Sequence, residues 1–187
     1  MPLDVYRKTK DGRIVYGKGF SAFIHNGNYY QTVISVYEDG MVDCWGLVTF
    51  EEFREKVAEG WVVTRVPRGA HISCHHLYFG KCLLNFPVTE TDFVGELQDE
   101  VKRLRGEDDS STLCVKAFAE FLRAPTLANR ECLRFTYSFI PTHLRIYTLG
   151  DMDSKDAPLR RIIADQATDA DIQAYRQQYK HLLDKEG

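Results

Sequence analysis

The sequence predicts an α+β fold: an N-terminal antiparallel β-meander or partly open barrel with one inserted helix, covered by C-terminal helices and one short β-hairpin. Three observations carry this expectation. Apolar residues alternate along much of residues 13–47 and are interrupted by glycine-containing turns. Thr49 and Glu52 stand at capping-box spacing. After Pro87 the apolar period lengthens, with Phe93, Leu97, Val101 and Leu104 recurring as on one side of a helix.

Each element has a local reason. Ile14, Tyr16, Phe20, Ala22 and Ile24 share one face of a strand over 13–25. His25-Asn26-Gly27-Asn28 then turns the chain, because Asn and Gly tolerate the positive φ of a tight hairpin. Strands follow over 29–37 and 41–47, separated by Glu38-Asp39-Gly40. Phe53 and Val57 extend the capped helix, and Gly60 stops it. Segments 61–66, 70–77 and 82–86 return to β character. Gly17-Lys18-Gly19 interrupts the first long strand and predicts a bulge or sharp twist; it has neither the dinucleotide fingerprint nor the P-loop spacing.

Thr89 and Asp92 cap the helix after Pro87, Arg105–Ser110 is a polar connection, and residues 113–122 form the next helix. Alternation of Phe135, Tyr137 and Phe139, with Leu144, Ile146 and Tyr147 beyond Pro141, predicts two β segments over 130–149. Asp153 or Asp156 caps a helix near Pro158, and Thr168 caps the last one. The expected organisation is one composite domain, 1–187, with an internal lobe boundary near 87–90 and no flexible linker. Fourteen of the 23 aromatic residues precede that boundary, which places the sheet core there.

Charge and cysteines bound the function. The formal net charge is −3, from 24 basic and 27 acidic side chains, so the chain lacks the global basic signature of a dedicated nucleic-acid binder. Residues 89–187 carry fourteen basic and eighteen acidic groups and are mildly acidic. The five cysteines are odd in number and form no CxxC pair, which fits free thiols in a reducing compartment. The N-terminal stretch has no apolar signal core and no run reaches membrane-spanning length, so cytoplasmic residence is expected, with no membrane partner.

Candidate chemistry is local. His71-Ile72-Ser73-Cys74-His75-His76 is the most metal-like cluster; His71 and His75 share a strand face, but neither HExxH nor paired CxxC spacing is present. The enzyme alternative is a small hydrolase or metal-dependent enzyme using that region. Cys44 beside Trp45 reads as a packed thiol rather than a nucleophile. Asp151, Asp153 and Asp156 form the most concentrated acidic segment, while Trp45, Tyr137 and Tyr147 are candidate aromatic anchors.

No cofactor is implied. The expected function is a non-enzymatic protein-binding domain of inhibitor or immunity type that sequesters another protein, such as a basic enzyme or toxin. A third possibility is a single-strand nucleic-acid platform built from Tyr6, Tyr16, Lys8, Lys10, Arg13 and Lys18. It ranks below protein binding, because aromatics in a β-rich half are usually core and edge-strand lysines commonly protect the edge.

Overall fold

The computed structural model describes residues 2–74, 78–83, 88–150 and 156–184. Contacts divide the chain into two compact units, Met1–Glu107 and Asp108–Gly187. The fold is α+β: an open antiparallel sheet with its helices in the first unit, followed by a helical second unit.

The sheet grows outward from one long hairpin. Strands β2 (Ile14–Asn26) and β3 (Asn28–Tyr37) pair without interruption from Gly17↔Tyr37 to Asn26↔Asn28. Gly27, at φ +72°, makes the two-sided turn possible. Strand β1 (Leu3–Lys8) and strand β6 (Val62–Val63) share the other edge of β2, β1 along its start and β6 at Phe23 and Ile24. Strands β4 (Met41–Asp43) and β5 (Leu47–Thr49) complete the meander, which does not close into a barrel. A further hairpin, β7 (His71–Cys74) and β8 (Tyr78–Lys81), joins β3 in parallel through Tyr29↔Ile72.

One face of this sheet carries Phe20, Ala22, Ile24, Ile34, Val36 and Val42, all buried. Helices α1 (Phe50–Ala58) and α2 (Glu90–Leu104) cover it with Phe53, Phe93, Leu97 and Val101. The Thr49/Glu52 capping box forms on both sides, and its hydrogen bonds hold the Glu52 carboxyl below its ordinary range. Thr89 accepts from the Asp92 amide and starts α2. At the far end of α2 the Arg105 guanidinium donates to the Glu38 carbonyl at 2.7 Å, fastening the helix to the β3–β4 turn. On the opposite face Phe23, Val66 and Cys82 form a smaller cluster.

The glycine pair behaves differently from the expected bulge. Gly17 and Gly19 sit in regular register with Tyr37 and Ser35. A side chain at Gly17 would run into the Val36 carbonyl and come within 2.7 Å of the Tyr37 ring; one at Gly19 would come within 2.6 Å of Val33. The glycines let those side chains lie flat across the strand, and Tyr37 is thereby buried.

In the second unit, helices α3 (Ser110–Arg123), α4 (Leu127–Ser138), α5 (Ala157–Ile163), α6 (Asp169–Gln178) and α7 (Lys180–Leu183) surround a core of Phe118, Phe121, Leu122, Leu133, Leu159 and Ile162. Asp109 caps α3 and is buried, although it lies in the polar connection before that helix.

The two β segments expected over 130–149 are replaced by α4 and a 3-10 helix, Thr142–Tyr147. Thr126 accepts from the Asn129 amide, and the Asn129 side chain donates to the Ala124 carbonyl, which commits the chain to a helix. The alternation of Phe135, Tyr137 and Phe139 is then a coincidence of two helical spacings. Leu133 and Tyr137 face the core, while Phe135 and Phe139 meet on the exposed side with ring centroids 4.8 Å apart.

Gly17→Ala is expected to cost about 2–3 kcal/mol of stability, because backbone and ring occupy the space its methyl needs. Gly27→Ala, with open space around it, costs only the ~1 kcal/mol of a left-handed alanine. Urea unfolding midpoints of the two variants check this; equal shifts would refute the packing account of Gly17.

Candidate functional site

The first unit places one large aromatic side chain in an unusual backbone state. The Asp43↔Leu47 pair closes a three-residue loop, Cys44-Trp45-Gly46, between β4 and β5. Asp43 Oδ1 accepts from the Gly46 amide at 3.1 Å, and the Cys44 amide donates to the Gly46 carbonyl at 3.2 Å. Cys44 turns into the core, where burial pushes its thiol pKa up. That leaves Trp45 at φ +66°, a conformation that costs a residue with a Cβ about 1–2 kcal/mol.

The indole is held rather than loose. Its Nε1 donates to Thr32 Oγ1 at 3.3 Å. Its ring lies 5.3 Å from Tyr30 at 53° and 6.4 Å from Trp61 at 82°. Tyr30 and Thr32 occupy the same face of β3 as the core residue Ile34, since their β2 partners are Ile24 and Ala22. Behind them Lys56 of α1 places its ammonium 5.5 Å from the Trp61 ring centroid. Even so, Trp45 remains 51% exposed.

The surrounding segment is acidic. Residues 43–59 carry five acidic groups (Asp43, Glu51, Glu52, Glu55, Glu59) against Arg54 and Lys56. All five acids are exposed. The site therefore combines a held, half-exposed indole with a position on a segment whose formal charge is −3.

The other sequence candidates are distributed between the units. Asp151 and Asp153 lie outside the described residues, as does His75. Asp156 and Tyr137 do come together in the second unit: the phenol donates to Asp156 Oδ2 at 2.8 Å, with Arg160 Nε 3.4 Å from the same oxygen. Asp156 stands at the N-cap position of α5 but makes no side-chain cap bond, because its carboxylate is turned inward to Tyr137. It is only 4% exposed, and among the described residues its buried Oδ1 has no hydrogen-bond partner. Burial, then the neighbouring carboxylate, pushes the Tyr137 phenol up to about 12. The Arg145 guanidinium lies over that ring, 5.1 Å from its centroid. Tyr147 is 55% exposed at the end of the 3-10 helix.

His71 is exposed at the start of β7, and its ring stacks on Phe79 at 5.1 Å. Among the described residues, no group of three or more His, Cys, Asp or Glu side chains is placed to hold a metal ion. Nor, among them, is any helix long and apolar enough to cross a membrane. The Cys114 thiol, deep in the second unit, is driven up to about 12 by burial. Tyr30, Thr32 and Trp61 are the site residues that sequence reasoning missed. Their signal was the hairpin register, which sets Tyr30 and Thr32 on one face.

Comparison with known families gives the first unit a match. The family described as "Domain of unknown function (DUF7638)" matches residues 4–108, more than half of the sequence. The chain belongs to this family. A second description, "Domain of unknown function (DUF7639)", matches residues 109–182, so the two matches meet one residue beyond the division of contacts after Glu107. No curated protein and no solved structure matches.

The Tyr137–Asp156 pair makes a pH prediction. A phenol with a folded pKa near 12 and an unfolded value near 10 contributes stability that is fully present below pH 10 and lost as pH rises toward 12. Tyr137→Phe is expected to flatten that alkaline loss. At pH 7 it costs about 1.5–3 kcal/mol by leaving the buried carboxylate without its donor. Thermal unfolding from pH 7 to pH 12 tests both; an unchanged alkaline slope in Tyr137→Phe would remove Tyr137 from the account.

Proposed function

We propose that the chain is a protein-binding module whose anchor is Trp45 and whose partner presents a basic surface. The observation that carries this reading is the half-exposed indole of Trp45, set at positive φ by its loop and held in place by Thr32, Tyr30 and Trp61. Backbone strain at a fully solvated turn would be relieved by a glycine or asparagine, so a tryptophan there is informative. A pre-ordered aromatic loses little entropy on docking, and tryptophan is among the residues most enriched at interface hot spots.

The partner's charge follows from the segment that carries the loop. Five acids against two bases on residues 43–59 favour and accelerate encounter with a basic protein. Sequestration of one such protein, in the manner of an inhibitor or an immunity-type protein, is the form of binding that a single held anchor on a charged segment serves best. The acidic residues of this segment, Asp43, Glu51, Glu52, Glu55 and Glu59, are a different group from the Asp151 to Asp156 segment.

Trp45→Gly separates binding from folding. It relieves about 1–2 kcal/mol of backbone strain but gives up the aromatic contacts, the half-buried ring area and the Thr32 hydrogen bond, a net loss of about 2 kcal/mol, so folding of the variant is checked by its thermal unfolding before binding is read. Capture of the partner from source cells, followed by a binding assay on the two purified proteins, is expected to give a one-to-one complex with a basic protein. Affinity falls at least about 30-fold in Trp45→Gly, a hot-spot loss of ~2 kcal/mol. Glu55→Lys with Glu59→Lys slows association and weakens its salt dependence. A partner retained equally by the folded Trp45→Gly protein would overturn the reading.

A further inference from the structure

The core face of the sheet is also open at its other end. Strand β1 pairs with β2 so that Tyr6 stands directly opposite Tyr16, Lys8 opposite Ile14, and Asp4 opposite Lys18. These six side chains share the face that carries Phe20 and Ile34 further along, since the β2 members alternate in step with Phe20. Helices α1 and α2 cover Phe20 and Ile34 but leave the hairpin bare: Tyr6 is 72% exposed, Tyr16 61% and Ile14 49%. Lys18 marks where the cover ends, being drawn to Asp4 at 2.5 Å while also sensing Glu100 and Arg103 of α2.

Charge distinguishes this surface from an ordinary edge hairpin. Residues 2–20 carry five basic and two acidic groups, a local excess of +3 in a chain whose net charge is −3. Arg7 is engaged by Asp39 on the opposite face and is not part of the surface. Lys8 lies beside the tyrosine pair on the open face, and Lys10 and Arg13 sit in the turn that joins the two strands, all exposed. Two neighbouring aromatic faces flanked by cations suit a flat ring attached to an anion. An acidic peptide would use the lysines and leave the tyrosines idle.

We propose that the open face of the β1–β2 hairpin binds single-stranded nucleic acid, with bases stacked on Tyr6 and Tyr16 and phosphates held by Lys8, Lys10 and Arg13. Stacking on a π-face is tolerant of base identity, and the cations act on the backbone, so binding is sequence-independent. The site spans one or two stacked bases, and its affinity is correspondingly modest and salt-sensitive. It is separate from the Trp45 loop, which belongs to the far side of the meander.

The test is fluorescence anisotropy of labelled short oligo-dT and oligo-U with the full chain at about 50 mM salt and upward. Saturable binding is expected, with log K falling against log salt at a slope of about −2 for three phosphates. Tyr6→Ala and Tyr16→Ala each weaken it roughly tenfold, while Tyr6→Phe retains it. Lys8→Gln with Lys10→Gln reduces the slope and leaves the fold intact, since neither side chain is buried.

Trp45→Gly binds the oligonucleotides like the parent, so failure of the protein-binding reading leaves this one standing and the reverse also holds. Absence of saturable binding overturns the proposal. So does binding that survives both tyrosine-to-alanine changes or that polyglutamate matches, which would mark the hairpin as a surface for an acidic protein.

Discussion

Everything in the first unit depends on the register of β2 against β3. The two strands exchange partners over ten consecutive positions, fixed at one end by Gly27 and at the other by the close fit of Tyr37 over Gly17. A slip of one residue would turn Phe20, Ala22 and Ile24 out of the core and bring Ser21 and His25 into it. Both faces of β2 are used, with Ile24 under the helices and Phe23 in the smaller cluster behind. A slip of two residues would keep the faces but take Gly17 out from under Tyr37. The hairpin is therefore the frame on which the shorter strands and both candidate surfaces are hung.

That frame explains why the two surfaces exist. The helices bury the middle of one sheet face, and α2 ends at the left-handed Gly106, with Arg105 tied to the Glu38 carbonyl. Helix α1 begins where its capping box allows, directly after β5, and ends by packing Lys56 on Trp61. Between these limits the core is closed. Beyond them the same alternation continues, and it delivers Tyr16 with Tyr6 at one end and Tyr30 with Thr32 at the other. Each exposed aromatic set is a continuation of the core pattern past the cover, not an isolated surface decoration.

The legibility of this arrangement in the sequence follows the range of the forces involved. The Asn-Gly turn, the Thr49/Glu52 box and the Thr168 cap are short-range devices, and each was readable because its partners lie within a few residues. Gly17 and Gly19 were read as an interruption because their reason, the Tyr37 and Val33 side chains, arrives from another strand. Residues 130–149 went wrong for a related cause. An i, i+2, i+4 aromatic series fits a strand, and only the Thr126 cap upstream shows that the odd and even members belong to two sides of a helix. Helix α2 was grouped with the later helices by its period, yet its apolar stripe is used by the sheet. Trp45 was legible as an aromatic but not as a strained one, since its positive φ is set by a loop closed across β4 and β5.

Net charge conceals more here than it reveals. The β1–β2 hairpin region carries an excess of three positive charges and the β4–β5–α1 segment an excess of three negative ones, so the two cancel in any whole-chain sum. At physiological ionic strength the screening length is about 8 Å, shorter than the width of a five-stranded meander at roughly 4.8 Å per strand. A ligand approaching β1 therefore meets a positive field, and one approaching β5 a negative field, with little averaging between them. Partners of opposite sign can be drawn to the two ends of one sheet without competing. The two local charges cancel, and the formal −3 of the chain comes from the residues outside both segments.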